Sequence, residues 1–266
     1  MDKILRAQFY RLWRMKSFYV CVAVGAAFAV LGIIIMQAEM GMYKSMVTTQ
    51  PQLQLTIDNI SASIKEGGVG RLAACMGGNL IPILIGIVIS LFICMDISSG
   101  AIKNAHGFRR SEFYFATLIV TCVLSVIMTL IYMLSSFVAG SIAWGTGTIN
   151  KDVILNILKL VGIQNLLIVG CASLFVMVAF LIRNSGGTIA VNLGSLIIVS
   201  LILTLISPLF EKDFLIDQYW IGDAISFVAK LNITNDDIIR SLIVAGCYIV
   251  IPTVIGLFTF QKRDIK

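Results

Sequence analysis

Six stretches of the chain are apolar on every face: Phe18 to Met36, Gly77 to Met95, Phe113 to Ile142, Leu160 to Ile182, Gly186 to Ile206 and Leu242 to Phe260. Each runs about 19 to 30 residues, enough for the roughly 30 Å hydrocarbon core of a bilayer at 1.5 Å of rise per residue. No water is available there to satisfy backbone N–H and C=O groups, so such stretches are helices or the strands of a closed barrel. Unbroken apolar runs lack the two-residue alternation of barrel strands. The pattern predicts an all-α integral membrane protein with six transmembrane helices in one transmembrane domain over residues 1–266.

Ahead of the first run, residues 3–16 set Leu5, Phe9, Leu12 and Trp13 at i, i+4, i+7 and i+8, with Arg6 and Arg14 elsewhere on the wheel. This predicts a helix lying in the membrane interface. The apolar run after it has no small-residue cleavage site, so it reads as a first span and not as a removable signal peptide. Residues 37–76 read as a polar loop. Residues 207–241 form a second long connection with Pro208, an acidic cluster and a short amphipathic piece from Tyr219 to Lys230. Pro82 and Pro252 fall within spans two and six and predict bends there.

Composition agrees. The chain is 58% hydrophobic and 13% charged, against about half and a quarter in soluble domains. The net charge of +6 matters through its distribution. With both termini inside, the inner segments hold 12 basic residues (Lys3, Arg6, Arg11, Arg14, Lys16, Lys103, Arg109, Arg110, Arg183, Lys262, Arg263, Lys266) against 4 acidic ones. The outer segments hold 8 basic and 10 acidic residues. The positive-inside bias places both ends in the cytoplasm, and the basic balance needs no nucleic-acid partner.

Reactive groups are sparse. His106 is the single histidine, so neither a Ser-His-Asp triad within a span nor a histidine metal cluster is assembled. The six cysteines sit mostly inside apolar runs with no CxxC pair and read as small packing residues. There is no GxxxxGK[ST] phosphate loop. No catalytic residue, cofactor or metal is expected in this chain. Asp96 and Lys159 lie near span ends and are expected to face headgroups or water. The neutral polar residues inside spans (Asn79, Asn156, Gln164, Asn165, Asn192) read as interhelical hydrogen bonds or, for Asn79, Gln164, Asn165 and Asn192, as a candidate substrate path; bonding between helices is the commoner use. Ala23 with Ala27 and Gly25 with Ala29 give small residues at helical spacing, a candidate dimer seam.

The connection after span two reads DISSGAIKNAHGFRRSEFY from Asp96 to Tyr114. Its Ala101 to Ala105 core predicts a short helix between Gly100 and Gly107, with Lys103, Arg109 and Arg110 facing the cytoplasm. An acidic residue ending span two (Asp96), then SGAIKN (Ser99 to Asn104), then GFRR (Gly107 to Arg110), and an ending FQKRDIK from Phe260 resemble the membrane subunit of type-2 ABC exporters. Ala101 stands where that family often has Thr, Arg109 where it has Ser, and Thr117 or a neighbour where it frequently has Lys. The resemblance implies that Asp96, Ser99, Gly100, Ala101, Ile102, Lys103, Asn104, Gly107, Arg109 and Arg110 form an ATPase-coupling element. It further implies two cytoplasmic ABC ATPase subunits holding ATP and Mg²⁺, a second identical or related permease subunit, surrounding membrane lipids and a bacterial plasma membrane. The small size and long first outer loop are similar to permeases that expel peptides, including lantibiotics, and the expected cargo is a peptide, antibiotic or lipid-like molecule. Two other expectations stand beside this one: an ATP-independent channel or secondary transporter, and a membrane sensor subunit.

Overall fold

The computed structural model describes residues 2–46, 61, 64–98, 110–206, 216–230 and 233–262. Among these residues there is helix and no strand. A short helix α1 (Asp2–Arg14) leads into α2 (Lys16–Met46). Helix α3 (Gly67–Ala74) and a 3-10 turn (Cys75–Gly77) precede α4 (Leu80–Ser98). Then come α5 (Arg110–Trp144), α6 (Lys151–Ile182) and α7 (Ser185–Ile206). A 3-10 turn (Ile216–Tyr219) and α8 (Ile221–Phe227) lead to α9 (Asn235–Lys262). Helices α2, α4, α5, α6, α7 and α9 are the six long and apolar enough to cross a membrane, and the protein is a multi-pass membrane protein.

Helices α4, α5 and α6 form the centre, with α2 against α5 and α4, α7 against α4 and α6, and α9 against α6 and α5. Two thirds (67%) of the apolar window of α4 is buried in the protein, but 11% of that of α7; the outer face of α7 is a row of Ile and Leu that suits lipid. Because lipid tails are as apolar as leucine, association rests on close packing and interhelical hydrogen bonds. Glycines bring the helices together: Gly86 of α4 lies under the Phe175 ring and Gly170 of α6 under Tyr248.

Helices end where the backbone forces it. Gly145 and Gly147 after α5 take φ values of +83° and +80°, and Arg183 stops α6 in the left-handed conformation with its N–H bonded to Ala179 O. Nothing in the chain interrupts α5 or α6 at the expected bilayer boundary, so they run 35 and 32 residues. Asp237 and Thr234 cap α9 reciprocally, Asp237 N donating to Thr234 Oγ1 (3.3 Å) and Thr234 N to Asp237 Oδ2 (3.2 Å).

Three expectations are corrected. Residues 37–76 are not simply a polar loop: α2 continues to Met46, and Gly67, Gly68, Val69, Gly70, Ala73, Cys75 and Met76 are buried. Glycine makes this packing work, since Gly68 N donates to Gly145 O (2.9 Å) and a Cβ on Gly140 would lie 3.1 Å from Gly68 Cα. Pro82 sits in the first turn of α4, where its missing N–H leaves no bond unmade, so it bends nothing. In α1 the buried face is Ile4, Gln8 and Leu12, continued by Met15 at the junction with α2, while Trp13 is 51% exposed. The expected piece after Tyr219 is α8, with Ile225 buried.

Candidate functional site

One end of the bundle gathers α1, the last turn of α4, the first turn of α5, the α6–α7 junction and the end of α9. It is called the terminal end below. Here Asp96 is 1% exposed, far from the water or headgroups expected for it. Its Oδ1 is ion-paired with Arg11 Nη1, and its Oδ2 accepts a hydrogen bond from Gln8 Nε2 at 3.1 Å. The correction has a physical cause: a carboxylate inside an apolar bundle persists only when paired and hydrogen-bonded, and α1 brings Gln8 and Arg11 together because they are three residues apart on one helix face. The Arg11 guanidinium lies 5.8 Å from the centroid of Phe92. Burial pulls its pKa below the ordinary guanidinium value, though arginine remains cationic in proteins. The structure thus fastens α1 to α4 by a charge.

A second fastening closes the same end. Arg110, the first residue of α5, donates from Nη1 to Gln261 O of α9 at 3.2 Å. Phe180 packs at a tilt against Phe260 (4.8 Å between centroids) and Tyr114 (5.1 Å), joining α5, α6 and α9. Asp96 and Arg110 therefore sit on fixed helices on either side of the 99–109 connection. Ser99, Gly100, Ala101, Ile102, Lys103, Asn104, Gly107 and Arg109, with the short helix expected there, lie outside the described residues.

Two cavities open at the terminal end and share Met95 of α4 as a wall. One, of 220 Å³, is lined by Tyr10, Arg11, Arg14, Met15, Phe92 and Met95. The other, of 370 Å³, is lined by Leu91, Cys94, Met95, Arg183, Asn184 and Ser185. A third, also 370 Å³, is an apolar groove between α6 and α9 beside Pro252 and Tyr248.

The remaining candidates are dispersed. Gly25 and Ala29 are buried within the chain, Gly25 against Leu84, Ile81 and Tyr132, whereas Ala23 and Ala27 are exposed. The four small residues thus face two ways, and half of them are used for intrachain packing. Asn192 Nδ2 donates to Ser90 Oγ (2.9 Å), tying α7 to α4, and Gln164 Nε2 donates to Ile225 O (2.9 Å), tying α6 to α8. Asn165 bonds its own helix at Val161 O (2.7 Å). Asn79 lies in the turn before α4, its carbonyl accepting from Ile83 N (3.0 Å). Gln164 and Asn192 are fully buried and bonded between helices, and the three cavities are lined by other residues.

Gln8, Arg11 and Arg14 escape sequence reasoning as site residues. The signal was present in part: Ile4, Leu12 and Met15 flank Gln8 on one stripe, which marks a polar position in an otherwise buried row. Arg71 of α3 is also missed. Its guanidinium packs on Gly32 of α2, with Met36 Sδ 3.9 Å from Nη1.

No curated protein matches the chain. A protein family model matches residues 78–266, which takes in α4 to α9 and both Asp96 and Arg110 but not α1, α2 or α3. The chain belongs to the family described as "Protein of unknown function (DUF2705)".

Proposed function

We propose that this chain is the membrane-spanning permease subunit of an ATP-driven ABC exporter, with both termini in the cytoplasm of a bacterial plasma membrane. It carries no phosphate loop of its own, so ATP and Mg²⁺ belong to two separate ATPase subunits. A second permease subunit, identical or related, completes the pore. The cargo is a peptide, antibiotic or lipid-like molecule.

The observation that supports this most is the mounting of the 99–109 connection. Its sequence carries the GAIKN and GFRR resemblance, and its two flanks are tied to other helices: Asp96 to Arg11 and Gln8 of α1, Arg110 to Gln261 of α9. An element that receives a push from an ATPase needs such a mount, because force on a loosely held loop is lost in the loop itself. With the mount, movement of the connection reaches α1, α4, α5 and α9 together. The basic excess at this end is what an inner face requires.

Isolation of the tagged chain from its native membrane in mild detergent tests the reading. A soluble ATPase bearing a phosphate loop is expected in the same fraction, together with a second permease copy. Replacing residues 100–107 by a Gly/Ser linker is expected to leave insertion intact and to abolish substrate-stimulated ATP hydrolysis. Isolation of the chain alone, with flux in liposomes that needs no ATP, rules the exporter out.

A further inference from the structure

The cavity between α1 and α4 is built unlike an ordinary packing defect. Its walls divide by chemistry: Arg11, Arg14 and Tyr10 on α1, and Met15, Phe92 and Met95 from the α1–α2 junction and α4. Arg14 is exposed and its guanidinium stacks 4.6 Å from the Tyr10 ring, and among the described residues no carboxylate takes its N–H fork. Arg11 presents one edge to Asp96 and lines the cavity as well. Basic residues are in excess here: residues 3–16 hold Lys3, Arg6, Arg11, Arg14 and Lys16 and no acidic residue, and Asp96 pairs with Arg11 alone of these. Trp13 and Tyr19 are both exposed beside this face, with Tyr19 Oη donating to Trp13 O (3.0 Å). Such amphipathic rings mark the depth at which headgroups meet acyl chains.

We propose that this cavity is a binding site for one anionic phospholipid, whose phosphate is held by Arg14 and Arg11 and whose acyl chain leaves along Met15, Phe92 and Met95. Guanidinium is the fitting group, since its planar fork meets a phosphate through two parallel N–H···O bonds. A volume of 220 Å³ accommodates a phosphate-bearing headgroup and not a whole lipid; at about 30 Å³ for each water it replaces, several ordered waters would leave. The apolar walls distinguish this site from a soluble-anion site, because a free phosphate has no use for Phe92 or Met95. Occupancy adds a second anion to Arg11 and so strengthens the attachment of α1 to α4 from its exposed side. The site requires only that the bundle spans a bilayer, and it stands or falls independently of the transport reading.

The test is native mass spectrometry of the full chain released from detergent, titrated with phosphatidylglycerol and, separately, with phosphatidylcholine. One tightly retained phosphatidylglycerol is expected, and weaker retention of phosphatidylcholine. Arg14→Gln removes a charge-assisted bidentate contact and is expected to weaken phosphatidylglycerol retention about tenfold. Arg14→Lys is expected to retain part of it. Arg6→Gln, an exposed change outside the cavity lining, is expected to leave it within about twofold, since a charge near the surface acts only diffusely. Equal losses for Arg14→Gln and Arg6→Gln would reduce the effect to general surface charge and overturn the site. Equal retention of both lipids overturns the phosphate-and-charge recognition. Displacement of the lipid by inorganic phosphate at equal concentration assigns the cavity to a soluble anion and overturns the lipid. Arg14 is exposed and forms no ion pair among the described residues, so the variants are expected to fold, and unchanged helical circular dichroism verifies it.

Discussion

Arg11 of α1 and Asp96 of α4 form an ion pair inside the protein, at the point where the second long helix ends and the 99–109 connection begins. A helix held only by its apolar face can slide along its neighbours. This one is registered against the bundle by a charge, and Gln8 Nε2 supplies a second bond to the same carboxylate.

Removing one partner strands the other. Arg11→Ala strands a fully buried carboxylate and is expected to lower stability by roughly 3 kcal/mol, read from thermal denaturation in detergent, whereas Asp96→Ala is expected to cost less, because the Arg11 guanidinium is partly exposed and can be hydrated. The double replacement Arg11→Ala with Asp96→Ala is expected to cost less than the sum of the two single changes, because the buried carboxylate is no longer left unpaired. Simple additivity in that double-mutant cycle would dismiss the pair as a fastening.

Tyr114 and Gly256 offer a reciprocal test in the aromatic cluster. A Cβ on Gly256 would collide with the Tyr114 hydroxyl, which is buried without a hydrogen-bond partner among the described residues. Gly256→Ala is expected to destabilise by about 1–3 kcal/mol, Tyr114→Phe to be neutral or stabilising, and the pair together to recover only part of the loss, because the ring carbon Cζ that Phe keeps would still lie 2.9 Å from the added Cβ. A double variant as unstable as the sum of the two single changes would show that the Tyr114 hydroxyl takes no share of the clash.

Asn192 decides between packing and passage. Asn192→Leu breaks the bond to Ser90 Oγ and is expected to cost about 0.6–1.7 kcal/mol, the range for hydrogen bonds between membrane helices. Ser90→Ala is expected to cost a similar amount, with little further loss in the double variant. A changed flux with unchanged stability would return Asn192 to the substrate path.

Two neighbouring glycines separate backbone conformation from contact. Gly145→Ala meets only the positive-φ penalty, about 1–2 kcal/mol, since nothing lies within 4 Å of the added Cβ. Gly147→Ala meets the same penalty and the Glu66 carbonyl as well. It is expected to be the more damaging of the two in the same denaturation measurement, and equal effects would argue that α3 is not docked on the end of α5.

Sequence by itself determined the class of the protein and the number of its long helices. Each span is a local property: about 20 apolar residues in a row need no knowledge of what they touch, and α7, the least buried, was as legible as α4. The expected limits were narrower than the helices at α2, α5, α6 and α9, because a helix runs beyond the apolar stretch that marks it: α6 starts at Lys151 and α9 at Asn235, and α5 continues to Trp144 before Gly145 takes a positive φ. The short piece that became α8 was legible for the same local reason. Only the tertiary structure decided which face of α1 turns inward. Leu5, Phe9, Leu12 and Trp13 make one plausible stripe and Ile4, Gln8, Leu12 and Met15 another, and a carboxylate on a different helix chose between them. Likewise, nothing local in GGVGRLAACM announces burial; its glycines have meaning only beside Gly140 and Gly145. Hydrophobic length is written in consecutive residues, whereas charge pairing and glycine contact belong to two distant segments at once, and so they became visible only when the chain was folded.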